Sequence, residues 1–321
     1  MRMRYPFFIL PLGVVLAACS HTSEPPEEDD CLDPKFRAPV EVSIDVDQSF
    51  LPYTDVDSTR YADSSTRARE RGDESWRLKY YLAAYRREEM EPTEVLSSMD
   101  NKITMNLPPD KYTFVAWADR VPADNKSYYF YTDDFSELLL KHKYEYVADD
   151  PFKVPYRGEN DVRVQYTTTS TSLKCKPAMG KYRLLATDSL TYKPGRVLIT
   201  YLGALPASIH GRTGHINYYW NDMYFNASVV KQDSIHEIAH DFVLSHSDEE
   251  TKVAIRVEIF DEEDNLKSRC RQLVIPLKNG GITTVKGNFF SMQDFENTPS
   301  TSLGGGIVID PNFDETIEIE I

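Results

Sequence analysis

The sequence predicts an all-β protein built as two β-sandwich domains in tandem. Val40-Glu41-Val42-Ser43-Ile44-Asp45-Val46-Asp47 alternates apolar and polar residues without a fault, as a strand with one buried face must. Comparable runs recur over 103–107, 112–117, 181–187, 196–201, 251–260 and 271–277, with few helix-period stripes between them. A chain of 321 residues also exceeds one domain of the usual 100–200 residues, and leaves each of two domains long enough to bury its own core.

Taken in order, residues 1–18 have the build of a bacterial lipoprotein signal. Arg2 and Arg4 supply a basic start, 7–18 an apolar run, and Leu16-Ala17-Ala18-Cys19 the small-residue cleavage context. The apolar run falls short of the roughly 20 residues of a membrane-spanning helix. The mature chain is therefore expected to begin at Cys19. Acylation of its thiol and of its new amine gives more than the single chain whose membrane binding is marginal. Residues 19–34, rich in proline, glutamate and aspartate, cannot bury a core and read as a disordered acidic tether. The formal net charge of -15 argues against nucleic acid as a partner and leaves outer-membrane lipid to be reached through Cys19.

The first domain is expected over 35–168 and the second over 169–321, divided at the polar, β-branched stretch 165–172. Within the first, 48–75 loses all pattern and reads as a long loop. Its Arg71-Gly72-Asp73 triplet is a chance match in an already charged segment. Pro108-Pro109-Asp110-Lys111 fits a turn, so 103–107 and 112–117 are expected to form a hairpin. The stretch 118–164 is irregular, acidic and tyrosine-rich. In the second domain, Asp261-Glu262-Glu263-Asp264-Asn265 is an acidic turn between two strands. Gly304-Gly305-Gly306 is a flexible joint before the last strands, because no helix follows it to make a phosphate site. The final segment sets Ile317, Ile319 and Ile321 on one face, and such an edge must be covered, either at home or in a groove on a partner. Cys31, Cys175 and Cys270 are odd in number and far apart, with three possible pairings and no metal-type spacing.

One motif points to an enzyme. His236-Glu237-Ile238-Ala239-His240 has the zincin pattern, with His246 near the place of a third ligand and Glu237 as the base that would activate a zinc-bound water. The stripe Ile235, Ile238, Ala239, Phe242, Val243 permits a helix there. Against it, Val243 stands where the metzincin bend requires glycine, and 241–244 leads into a hairpin-like run. The strand reading is adopted, with no metal or other cofactor. No phosphate loop, Gly-x-Ser-x-Gly elbow or Cys-x-x-Cys pair occurs. The cluster Tyr128-Tyr129-Phe130-Tyr131 has the composition of an aromatic platform for a glycan, although packing in a core or at an edge accounts for it as well.

Several segments resemble the fimbrillin-like lipoproteins of Bacteroidetes. Leu107 to Asp119, ending in Trp117-Ala118-Asp119, looks like that group's first-domain hairpin, and Lys176 to Asp188 looks like the strand that opens its second domain. The segments 239–244, 261–265, 275–278 and 283–288 follow in the family's order. Gly280-Gly281-Ile282 departs from the family's usual residues before the threonines. The resemblance implies two transthyretin-like, Greek-key sandwiches, no catalysis, and a lipid-anchored place in the outer membrane facing the cell exterior. It also implies fimbrial subunits as partners, joined by β-strand addition. The resulting expectation is a non-enzymatic surface lipoprotein acting as anchor or accessory subunit in fimbria assembly or adhesion. The competing expectations are a zinc metalloprotease at His236, Glu237, His240 and His246, and a glycan-binding surface lipoprotein. Cys19→Ala is expected to abolish metabolic labelling with palmitate and to release the protein from the membrane fraction. Retention of both in the variant would place the anchor elsewhere.

Overall fold

The computed structural model describes residues 36–48, 76–141, 148, 150–221, 223–232, 235–246, 249–296, 308–309 and 316–320. Cys19, Cys31, the acidic tether, residues 49–75, the 304–306 glycines and Ile321 lie outside them. The described residues form β1 (Ala38–Val46), β2 (Arg77–Arg86), β3 (Glu94–Ser98), β4 (Lys102–Leu107), β5 (Asp110–Val121), β6 (Phe130–Tyr131) and β7 (Leu138–Leu140). After a 3-10 turn at Pro151–Lys153 come β8 (Tyr156–Val164), β9 (Thr169–Pro177), β10 (Met179–Ala186), β11 (Pro194–Tyr201), β12 (Ala204–Ile209) and β13 (Ile216–Asn221). The remainder are β14 (Tyr224–Ala227), β15 (Val230–Gln232), β16 (Ile235–Leu244), β17 (Thr251–Asp261), β18 (Leu266–Leu277), β19 (Ile282–Gly287), β20 (Gln293–Glu296), β21 (Val308–Ile309) and β22 (Thr316–Glu320). The all-β expectation stands.

These strands make four sheets. The first has seven strands in the order β3-β2-β5-β8-β9-β1-β4. The second runs β15-β16-β10-β19-β22-β21, the third β14-β11-β17-β18-β20, and a small fourth sheet β13-β12-β7-β6. Alternation explains the simple members: β1 and β4 bury every second residue, and so does β17 along its length. The first sheet folds over a core containing Val40, Val42, Ile44, Met105, Phe114 and Leu173. A second core, with Leu184, Ile199, Ile255, Leu273 and Val285, lies between the second and third sheets.

A third core joins the other faces. Val115 and Trp117 of β5, Tyr81 and Tyr85 of β2, Phe130, Phe135 and Leu138, and Met179, Phe242 and Leu244 of β10 and β16 pack together. Strands β5 and β16 are thus buried on both sides: Phe114-Val115-Ala116-Trp117-Ala118 reads as a continuous apolar run, and 238–244 is buried without a break even at His240 and Asp241. Re-exposing the five buried rings Trp117, Tyr85, Phe130, Phe135 and Phe242 would cost on the order of 10 kcal/mol, comparable with the stability of a whole domain.

Two local expectations change. β4 and β5 do not form a hairpin: β4 pairs with β1, while β5 pairs along its length with β2 and β8. A two-residue hairpin turn needs positive φ at one or both central residues, and Pro108 and Pro109 are fixed at about −65°, so the chain arches across the core instead. Thr169–Pro177, which the sequence places at the start of the second domain, runs parallel to β1 in the first sheet, with Val40 opposite Thr169 and Val46 opposite Cys175. β8 and β9 pair at Tyr156↔Pro177 and Arg157↔Lys176, the ladder ends at Gly158, and the strands stay close beyond it, with Asn160 Nδ2 donating to Thr171 Oγ1 at 3.2 Å. A Cβ at Gly158 would stand 2.4 Å from the Lys174 carbonyl oxygen, so this close approach of the two backbones requires glycine. Cys175 and Cys270 are both free thiols, one in the first core and the other in the second, so they form no bridge with each other. Burial pushes each thiol up to about 12.

Asp119, near the end of β5, is a carboxylate poorly suited to its surroundings. Its side chain is 2 % exposed; Ser127 donates its hydroxyl to Oδ2, and Oδ1 has no hydrogen-bond partner. Burial pushes the carboxyl up to about 7, against the hydrogen bond from Ser127 and the charges of Lys79 and Lys141. The folded value lies above the unfolded one, so this group imposes no cost below about pH 4. It destabilises progressively from there to about pH 7, and its full cost holds above that. Asp119→Asn keeps an acceptor for Ser127 and removes the charge. Urea unfolding is expected to show the variant more stable than the wild type by about 2–4 kcal/mol at pH 8, with the difference closing by pH 4. An equal difference at both pH values would refute this role.

Candidate functional site: the terminal strand and the HEIAH strand

The HEIAH segment lies in β16, a strand, and a bulge decides what its side chains can do. In the ladder with β10, Arg183 faces His240, Leu184 faces Ala239, and Leu185 faces Glu237, so Ile238 is the extra residue. The bulge turns Glu237 and His240 to the same side as Arg183. Glu237 then accepts from Arg183 Nη2 at 2.8 Å and lies 2.7 Å from His240 Nδ1. His236 faces Ala186 on the opposite side, with its ring 5.4 Å from Phe290. His246, beyond the strand, packs against His215 at 5.4 Å between ring centroids. The three histidines therefore diverge to three places. Val243, where a metzincin bends, is buried and paired with Gly180 near the end of β16, and Met292 lines the second core.

A helix would have set His236 and His240 on one face a turn apart; this strand separates them by about 13 Å and turns them to opposite sides. Among the described residues, no group of three or more His, Cys, Asp or Glu side chains is placed to hold a metal ion. The local apolar stripe suits either structure, and the bulge that settles side-chain direction leaves no mark in the sequence.

Of the aromatic cluster, Tyr129 and Phe130 are core residues. Phe130 sits edge-on to Trp117 at 5.2 Å, and the Tyr129 hydroxyl donates to Asp150. Tyr128 packs edge-on against Trp76, which stacks on Phe152 at 5.1 Å. Only Tyr131 stands largely in solvent.

The terminal strand is paired within this chain. β22 runs parallel to β19, from Ile282↔Thr316 to Lys286↔Glu320, and antiparallel to β21 through Val308↔Glu318 and Ile309↔Ile317. β19 also runs parallel to β10, so it is an interior strand only while β22 is present. Its residues Thr283, Thr284 and Val285 are buried. Without β22, the outer row of β19 backbone donors and acceptors would stand open, a template for any added strand. Ile317 and Ile319 have their backbone in this ladder.

A family model described as a family of unknown function, DUF6562, matches residues 40–321. The chain belongs to that family. No curated protein matches its sequence at a significant level. Among solved structures, the chain is similar to the fimbrial anchor protein Mfa2 from Porphyromonas gingivalis, at 9 % identity and a TM-score of 0.45, covering 73 % of this chain and 82 % of that one. It is also similar to a "putative cell adhesion protein" from Bacteroides eggerthii, at 10 % identity and a TM-score of 0.46, covering 91 % of this chain and 100 % of that one.

The divergent histidines give a direct expectation. Purified protein is expected to bind no stoichiometric zinc, to cleave no casein, and to keep its melting temperature in chelator, since a resident metal would stabilise the fold by mass action. Tight one-to-one zinc lost on His236→Ala or His240→Ala would contradict the strand geometry.

Proposed function

We propose that the protein is a non-enzymatic surface lipoprotein of fimbrial type, anchored in the outer membrane through Cys19, and serving as an anchor or accessory subunit in fimbria assembly or adhesion. The observation that carries the reading is the terminal strand. The chain's last segment completes the second sheet by pairing with β19, so the sheet has a position that a strand from elsewhere could fill by β-strand addition. The lipoprotein context of Cys19 and the acidic tether support a body held off a membrane surface, and the sequence resemblance to fimbrillin-like lipoproteins supports the assembly role. With its own strand home, the molecule is complete as a monomer; with that strand displaced, β19 accepts one from a neighbouring subunit.

The test compares full-length protein with a chain ending at Leu303. Because β22 pairs at home, truncation is expected to lower the melting temperature by several degrees, the shift that 1–2 kcal/mol brings to a domain of this size. Full-length protein is expected to be surface-accessible and to be recovered with sheared fimbriae. An unchanged melting temperature with lost incorporation would mean that the strand is donated rather than kept. Absence of the full-length protein from both surface and fimbriae would overturn the proposed function.

A further inference from the structure

The small sheet β13-β12-β7-β6 presents an outward face whose chemistry is distinct from its inner one. On the inner side, Ile216, Ile209 and Leu138 face one another across three strands and enter the third core, followed by Phe130 and Leu140. Alternation turns the next row to the other side: Asn217 opposite Ser208, Ser208 opposite Leu139, and Leu139 opposite Tyr131, with Ser208 itself fully buried and the other three partly or largely exposed. Tyr219, two residues beyond Asn217, shares that side.

Two tyrosines mark the ends of this face. Tyr131 is 52 % exposed and Tyr219 is 41 % exposed. They belong to the two edge strands, three inter-strand steps or about 14 Å apart. Between them lies a connected polar set. Glu137 Oε1 accepts from the Tyr219 hydroxyl at 2.6 Å and from the Ser208 hydroxyl at 2.8 Å, and Asn217 Nδ2 donates to Ser208 Oγ at 3.3 Å. The hydrogen bond at its hydroxyl fixes Tyr219 in place while its ring stays in solvent. At the other end, Lys141 Nζ sits 5.1 Å from the centre of the Tyr131 ring.

We infer that this face is a carbohydrate-binding site for a neutral oligosaccharide, laid across the sheet from Tyr131 to Tyr219. Flat, anchored rings suit the C–H faces of sugar rings, and the partly exposed Glu137 carboxylate and Asn217 amide suit their hydroxyl groups, while the fully buried Ser208 hydroxyl, bonded to both, holds them in place. The charge balance selects the class of ligand. Glu137 and Lys141 flank β7 at its two ends and cancel, on a chain whose net charge of -15 repels acidic polymers, so a ligand without charge is the complementary one. The inference deepens the adhesion reading above and rests on it, but it concerns a different surface from the terminal strand.

The experiment uses purified full-length protein in detergent on a microarray of neutral oligosaccharides with gluco-, manno-, galacto- and xylo-configured backbones, together with oligogalacturonates as the acidic class. Binding to at least one neutral series is expected, unchanged by 0.5 M sodium chloride. Tyr131→Ala and Tyr219→Ala should each weaken it about tenfold or more, the effect of one lost stacking contact, and the double variant should abolish it. Tyr224→Ala, a still more exposed tyrosine on another sheet, should bind as wild type. Thermal melts of each variant control for folding, since both target rings lie at the surface. Absence of binding to every neutral series, binding unchanged in the double variant, or binding confined to oligogalacturonates and lost in salt would each overturn the assignment. None of these outcomes depends on fimbrial incorporation, so failure here is distinguishable from failure of the assembly role.

Discussion

The arrangement depends on a buried ion pair. Lys153, in the turn before β8, places its Nζ 2.7 Å from Asp241 Oδ1 on β16, with both side chains at or below 2 % exposure. Tyr201 donates to the other carboxylate oxygen at 2.6 Å, and Tyr182 lies 3.1 Å from the Tyr201 hydroxyl, which leaves Tyr182 as donor to Tyr201. Burial, and next the charge on Asp241, push the Tyr182 phenol well above its ordinary value and keep it protonated for that task. Such a pair adds little net stability over an apolar replacement, because both charges give up their hydration. Removing one partner alone is costly, at about 3–5 kcal/mol, because the other charge is left uncompensated. Its effect is positional: it ties the 3-10 turn at Pro151–Lys153 to Asp241 on β16.

Around that point the two halves of the chain are joined by apolar packing and by backbone contacts. Arg157 donates to the carbonyls of Gly211 and Arg212, and Arg212 in turn donates to those of Arg87 and Glu89. Gly211 approaches Phe135 so closely that a Cβ would lie 2.4 Å from the Phe135 carbonyl oxygen. The small sheet takes two strands from each half, and its inner face fills the third core. The same docking that stabilises the molecule also creates the outer face on which Tyr131 and Tyr219 stand.

Legibility in the sequence followed burial. Strands with one buried face, such as β1 and β17, announce themselves by alternation, and the acidic 261–265 turn was equally plain: Asp261 caps it and Asp264 adopts a φ of 62°. Strands buried on both faces, β5 and β16, lose that signal, and in 235–244 the resulting apolar pattern suits a helix as well as a strand. The short strands β6 and β7 are hidden in an acidic, tyrosine-rich stretch because β6 pairs only with β7, and the other partner of β7 lies some seventy residues away in β12. Partner choice is set by the whole core, which is why the Pro108-Pro109 segment read as a hairpin turn yet became an arch between strands with other partners. Tyr131 was visible as one of four aromatics, but its separation from Tyr128, Tyr129 and Phe130 by exposure comes only with the register of the small sheet.

The central claim is that the third core and the Lys153–Asp241 pair make the two sandwiches one cooperative unit. Differential scanning calorimetry of the full-length protein tests it most directly. The account predicts a single transition whose calorimetric and van't Hoff enthalpies agree, and a lowered but still single transition for Lys153→Met. Two resolved transitions in the wild-type protein, one for each sandwich, would contradict it.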